Sequence, residues 1–216
     1  MADIRARLAR HRPTRFSPER STLQAAVAMV LRERANDTDI LLIKRAEVAG
    51  DPWSGDMAFP GGHREPQDID LVAAALRETE EEIGLVVDQK NMIGELSQQR
   101  PARRGGAFDM LVAPHVFFLD GEPSFDLSDE VDAVVWSPLG PMHRGHGHAM
   151  EERVIAGVPT PLRGYRVAGG HFVWGLTYRM IETLFEALDP EYHRRDTTST
   201  APGRGSARSR DPTRRR

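Results

Sequence analysis

Residues 70–84, Asp-Leu-Val-Ala-Ala-Ala-Leu-Arg-Glu-Thr-Glu-Glu-Glu-Ile-Gly, constrain this chain more than any other stretch. Asp68 or Asp70 can N-cap a helix that runs to Glu82 or Ile83, and Gly84 stands where a left-handed C-terminal residue is preferred. At about 100° per residue, Val72, Ala75, Leu76, Thr79 and Ile83 form an apolar face. Glu78, Glu81 and Glu82 fall beside it within an arc of about 100°, and Glu80 points elsewhere. Like charges three or four apart repel by roughly 0.2–0.5 kcal/mol per pair on an exposed helix. Such a helix either lines a solvated acidic surface or gathers a hard cation such as Mg²⁺ or Mn²⁺, which takes carboxylate oxygens. Spacing alone leaves both open.

The flanking segments supply a mixed framework. Residues 23–33 and 39–46 are apolar runs separated by the turn-prone Arg-Ala-Asn-Asp-Thr-Asp, which predicts a hairpin. Residues 50–62 are rich in Pro and Gly and predict a loop around a short strand. After the helix, residues 92–99, 109–120 and 130–139 predict strands, the last two rich in β-branched and aromatic residues. Residues 140–150 predict a loop of glycine and histidine, 164–174 another hairpin, and 174–189 a closing helix by its apolar spacing. Residues 3–11 predict a short amphipathic helix that ends before Pro13. Strands and helices in this order predict an α+β fold, a mixed sheet sandwiched between helices, rather than regular βαβ repeats.

Composition sets the outer limits. At 216 residues with 39 % hydrophobic content, one sizeable domain with tails is expected. The formal net charge of −3 hides an asymmetry, because residues 194–216 carry eight arginines against two aspartates. The division expected is an N-terminal extension over 1–20, the main domain over 21–190, and a disordered Arg-rich tail over 191–216. Eight arginines without interleaved aromatic residues read as a solvated tail rather than a nucleic-acid site. The absence of cysteine excludes a disulfide framework, a zinc-thiolate site and a thiol nucleophile, and leans towards the cytoplasm. The apolar run 23–31 is about half the length a membrane helix needs. The histidines of residues 143–148 sit among glycines without a well-placed acid, a pattern that favours a surface loop over zinc.

A resemblance sharpens this. Gly-Gly-His-Arg-Glu-Pro-Gln-Asp-Ile-Asp-Leu-Val-Ala-Ala-Ala-Leu-Arg-Glu-Thr-Glu-Glu-Glu-Ile-Gly-Leu, residues 61–85, resembles the Nudix box. Arg77, Glu78, Glu81, Glu82, Gly84 and Leu85 match its C-terminal half position by position. Thr79 stands where an aliphatic residue is usual, the spacing from Gly62 to Arg77 is one residue longer, and Asp68 stands where the first Glu is expected. The longer spacing, with Phe-Pro-Gly-Gly in front of it, is similar to the coenzyme A pyrophosphatase branch. Residues 128–139 and 173–181 resemble elements of the same branch. The Leu-Leu-Thr-x-Arg-Ser and His-x-Gly that usually precede Phe-Pro-Gly-Gly in the branch appear here as Leu-Leu-Ile-Lys-Arg-Ala and Trp-Ser-Gly.

The resemblance implies a Nudix-type α/β/α sandwich with a catalytic loop-helix-loop. It implies Mg²⁺- or Mn²⁺-dependent hydrolysis of a diphosphate in a nucleoside diphosphate derivative of the coenzyme A or acyl-coenzyme A type. ADP-ribose, NADH and other nucleotides are the alternatives, and a non-catalytic nucleotide-binding regulator is the rival of a different class. Glu78 and Glu82 are implied metal ligands, and Glu81 a third ligand or the base that takes a proton from water. Gly61 and Gly62 would bring backbone close to metal or phosphate, or simply form a tight turn. Arg45 is a candidate for phosphate, Glu130 for a further carboxylate, and Arg77 and Gly84 for structural support. A small-molecule partner is expected, a membrane is not, and a homodimer is left open.

Overall fold

The computed structural model describes residues 2–19, 21–35, 37–49, 53–101, 109–155 and 157–194; most of the Arg-rich tail lies outside these. Among the described residues, a seven-stranded mixed sheet forms the centre. Its middle strand, β1 (Leu23–Arg34), is buried along eight consecutive positions. A strand covered on both faces reads as a continuous apolar run, which is how residues 25–31 read. β1 pairs antiparallel with β2 (Asp37–Arg45) and with the short β4 (Gly61–His63), and parallel with β6 (Met110–Leu119). β3 (Met57–Ala58) and β7 (Val131–Pro138) both pair with β2, and β5 (Met92–Glu95) pairs with β6.

The two faces of β1 differ, and the difference places the site. Ala25, Val27, Met29 and Leu31 point into a core shared with α4 (Gly175–Leu188) and α1 (Ala2–Arg10). Ala26, Ala28 and Val30 point to the opposite side, where they meet Ala74, Ala75 and Ile83 of α2 (Leu71–Ile83). Small residues on both partners bring α2 close to the sheet. The α/β/α sandwich is thus built from helices on both faces of one mixed sheet, as the sequence predicts. Helix α1 docks through Leu8, 3 % exposed, and through an Arg7 guanidinium that donates to the Leu188 carbonyl.

Residues 140–150 differ from the predicted loop. They contain α3 (Leu139–His143) and the start of β8 (His148–Ile155), which forms a second, three-stranded sheet with β9 (Val158–Arg166) and β10 (Phe172–Trp174). The sequence conceals this order because the partners of His143 and His148 are distant aromatic rings. His143 stacks against Phe185 and Tyr192, each at 5.2 Å between centroids, and its Nε2 lies 3.2 Å from Asp189. His148 reaches the Tyr178 hydroxyl at 3.0 Å. His143 and His148 therefore turn to separate partners, and the β8–β9 hairpin turns at Gly157, φ 81°, without the Asn-Gly or Asp-Gly pair that marks such a turn in a sequence.

Candidate active site

Helix α2 has both ends fixed. The Asp70 carboxylate accepts from the Ala73 N–H at 2.8 Å, and Gly84 adopts φ 65°, ψ 12° while its N–H donates to the Glu80 carbonyl. Gly84 has a second reason to lack a side chain: a Cβ there would strike Asp126. The loop after β6 lies against this helix end, with Asp126 N–H on the Ile83 carbonyl at 2.9 Å and Ser128 N–H on the Glu82 carbonyl at 3.0 Å. That docking delivers Glu130, two residues later, to the C-terminal end of α2.

The three glutamates of the helical arc occupy three different environments. Glu82 is 6 % exposed, and its Oε2 accepts from the Gly61 N–H at 2.9 Å. Burial pushes its carboxyl up to about 7, with Glu78 and Glu130 adding to the rise and the Gly61 N–H and Arg45 opposing it. Glu78 is partly buried and also shifted upward, first by burial and then by Glu81 and Glu65, against the pull of Arg77. Glu81 is mostly exposed and lies 2.7 Å from Arg77 Nη1. Among the described residues, no three Asp, Glu or His side chains converge closely enough to hold a cation as they stand. The arc read from the sequence is thus split, because Gly61 draws Glu82 inward while Arg77 draws Glu81 outward.

Arg77 is the hub of the arrangement. Its Nε and Nη2 each lie 3.1 Å from the two oxygens of Asp68, a bidentate geometry available to a guanidinium alone. Nη2 also donates to the His63 carbonyl at 3.0 Å and to Glu78 Oε1 at 3.2 Å. Asp68, 6 % exposed, takes the Glu65 N–H as well at 2.8 Å. The Arg77 fork holds the Asp68 carboxyl below its usual range, and Asp68 in turn raises Arg77. Of the two aspartates that could cap α2, Asp70 is the cap and Asp68 is the anchor for Arg77.

The turn in front of the helix is shaped by contact. Gly61 has φ 146° and pairs with Val27, with Val27 and Ala26 backbone atoms where a Cβ would go. At Gly62 a Cβ would meet the Glu78 carboxylate itself. Because that obstacle is the end of a mobile side chain, Gly62→Ala displaces Glu78 at small cost in stability. The expected result is a fall in turnover of about ten-fold or more with a nearly unchanged melting temperature, read by steady-state kinetics and thermal denaturation.

Arg45 lies at a register shift between β2 and β7, where Lys44 pairs with Ala133 and Arg45 with Val131. Bulges of this kind re-aim a side chain. Arg45 and Glu130 both act electrostatically on Glu82, and the Ala46 N–H donates to the Glu130 carbonyl at 2.8 Å. Lys44 pairs with Asp132 at 2.7 Å. Glu78, Glu82, Arg45, Gly61, Gly62 and Glu130 are therefore brought into one neighbourhood, and Glu81 sits at its exposed edge.

The helix thus presents a buried Glu82 seated on the Gly61 N–H, with Arg77 bonded to Glu78 and Glu81 beside it. The NUDIX domain family matches residues 22–155. The chain belongs to the Nudix family. This Nudix protein is 32 % identical over 160 residues to the human mitochondrial coenzyme A diphosphatase NUDT8, a match that covers 73 % of the chain and 67 % of the human protein. It is 32 % identical over 190 residues to the uncharacterized Nudix hydrolase NudL of Cronobacter sakazakii, covering 82 % of the chain and 90 % of that protein. The crystal structure of a MutT/nudix family protein from Enterococcus faecalis shares the fold. Its TM-score is 0.54 at 20 % identity, over 78 % of this chain and 62 % of the other. By family, this Nudix protein is a pyrophosphohydrolase.

The sequence resemblance missed two features of the site. Asp56 accepts from the Trp174 indole N–H at 2.8 Å, and the Thr177 hydroxyl donates to the Met57 carbonyl at 3.1 Å. These pairs are separated by 118 and 120 residues, so no local spacing signals them. Among the described residues, no helix is long and apolar enough to cross a membrane.

Proposed function

We propose that this Nudix hydrolase cleaves the diphosphate of coenzyme A or an acyl-coenzyme A in a reaction that requires Mg²⁺ or Mn²⁺. The observation that carries the reading is the buried Glu82, seated on the Gly61 N–H and titrating near 7 beside the upward-shifted Glu78. Two acids that resist ionisation through burial and mutual repulsion, and that offer only oxygen donors, fit a hard divalent cation. Glu78 and Glu82 would hold it, with Glu81 as a third ligand or as proton acceptor. The cation would neutralise diphosphate oxygens and make the attacking water more acidic.

The chain's own residues do the rest. Gly61 fixes Glu82 by its N–H, and Arg77 fixes Glu78 and Glu81 through one guanidinium. Arg45, opposite the bulge in β7, binds phosphate oxygens, and Glu130 adds a carboxylate beside Glu82. Glu81, exposed and one turn from Glu78, can swing towards substrate at small cost, because an exposed i,i+4 ion pair contributes about 0.3–0.5 kcal/mol. The coenzyme A class is supported by the likeness to the human diphosphatase and by the Phe-Pro-Gly-Gly context. The absence of cysteine supports the cytoplasm, with residues 21–190 as the hydrolase unit.

One specific observation favours a second substrate class. Trp53, 47 % exposed, and Ala46 replace the His and Ser usual before Phe-Pro-Gly-Gly, on the segments flanking Arg45. ADP-ribose or NADH is the alternative that follows. The deciding experiment compares kcat/KM for coenzyme A, acyl-coenzyme A, ADP-ribose and NADH with Mg²⁺ and with Mn²⁺. Coenzyme A or its thioesters are expected to lead. A higher value for ADP-ribose or NADH reassigns the substrate, and no hydrolysis of any compound turns the reading towards a nucleotide-binding regulator.

A further inference from the structure

The family match ends at residue 155, yet residues beyond it grip the strand that leads into the Gly-Gly turn. β3 ends the path of the large sheet, and its far edge is met by the N-terminal turn of α4 instead of another strand. Trp174, 9 % exposed, closes β10 and donates its indole N–H to Asp56; one turn into α4, Thr177, 7 % exposed, donates to the Met57 carbonyl. Gly175 follows with φ 62° and open space where a Cβ would go, so a left-handed turn immediately after the indole reverses the chain from β10 into α4.

The segment held in this way touches both halves of the site. The Asp56 carbonyl accepts from the Arg45 N–H at 3.0 Å, and Met57 and Ala58 pair with Lys44 and Ile43. Three residues after Met57, the Pro60 carbonyl accepts from the Ala28 N–H at 2.9 Å, and Gly61 then donates to Glu82. Arg45 is the nearer of the two and the more directly bonded.

We propose that Asp56 and Trp174 are a positioning pair that sets Arg45 for the substrate's phosphates, making the segment after the matched domain a working part of the site. This rests on the diphosphate-hydrolase reading above. A positioning role for a phosphate-binding arginine acts on substrate affinity, so it appears in KM more than in kcat.

The test uses the full chain and the substrate that wild type cleaves best in the diphosphate comparison. Trp174→Phe keeps an aromatic side chain and removes the donor, Asp56→Ala removes the acceptor, and Asp56→Asn retains an oxygen that can accept. Trp174→Phe and Asp56→Ala are expected to raise KM about ten-fold with kcat within about three-fold of wild type. The double variant should be no worse than the poorer single one. Asp56→Asn should stay near wild type. A KM within two-fold of wild type in Trp174→Phe, or a loss that falls on kcat alone, overturns the proposal. Gly175→Ala, which strains the turn without a clash, stands in if Asp56→Ala fails to fold.

The indole proton gives a readout independent of turnover. In wild type the Trp174 N–H should exchange slowly by NMR, and in Asp56→Ala quickly; fast exchange in wild type overturns the pair. If wild type cleaves nothing, the hydrolase reading alone fails. The Kd of coenzyme A by calorimetry in the same variants then replaces KM, with the same ten-fold criterion.

Discussion

Glu82→Gln is expected to reduce turnover by at least two orders of magnitude and, at the same time, to stabilise the metal-free protein above neutral pH. Glutamine keeps an oxygen for the Gly61 N–H, so the local hydrogen bond survives. What disappears is a buried negative charge. In the folded protein the Glu82 carboxyl titrates near 7 against an ordinary value of 4.5, so the native state binds this proton more tightly than the unfolded chain does. The stability that depends on that proton is complete below about 4.5 and is lost as pH rises through about 7. The displacement corresponds to on the order of 3 kcal/mol, an upper figure because Glu78 shares the same field. Thermal melts in a chelator should show no advantage for Glu82→Gln at pH 4.5 and a clear one at pH 8. Mg²⁺ should raise the melting temperature of wild type at pH 8 and have little effect on the variant. Equal melting temperatures for the two metal-free proteins at pH 8, or near wild-type turnover, would sink the role assigned to Glu82.

The second large effect is expected at Asp68. Its side chain is buried, accepts both prongs of Arg77 and caps the Glu65 N–H. Asp68→Ala leaves a largely covered guanidinium without its main partner and an unpaired N–H, a combination that costs about 3 kcal/mol. Arg77 then closes on Glu78 and Glu81, so turnover should fall about ten-fold or more in protein that remains folded. The Asp68 carboxyl is held below its ordinary 3.8, which means its contribution is present above that pH and fades as pH falls through the lower folded value. The stability gap between wild type and Asp68→Ala should therefore be constant from pH 8 to pH 5 and shrink below pH 4. Arg77→Lys tests the other side of the pair. Lysine cannot bridge Asp68, the His63 carbonyl and two glutamates at once, so it should fail to restore either stability or turnover.

Much of this architecture is legible in the amino-acid sequence. The Asp70 cap, the Gly84 terminus, the hairpin of β1 and β2 and the closing helix α4 all rest on local rules, namely capping, turn residues and periodicity. The placement of Glu78 and Glu82 beside an apolar face follows from helical geometry. The position of Glu81 does not, because an angular projection treats Glu78, Glu81 and Glu82 alike. Which of them is buried depends on where the Gly61 N–H and the Arg77 guanidinium stand. The second sheet is hidden for a related reason. Residues 148–163 hold prolines, charges and a few scattered apolar residues, and they gain order only by pairing β8 with β9 and packing Tyr165 into the core.

The family and the two ends of the glutamate helix are written in the linear chain, because the box of residues 61–85 and the caps at Asp70 and Gly84 are local patterns. That Glu82 is the buried acid, that Asp68 anchors Arg77 and that Asp56 is held by Trp174 emerges only in the assembled fold. Burial and desolvation are collective quantities: they are set by which distant segments exclude water from a carboxylate, and nothing in the order of Glu78, Glu81 and Glu82 along the chain encodes which one that will be.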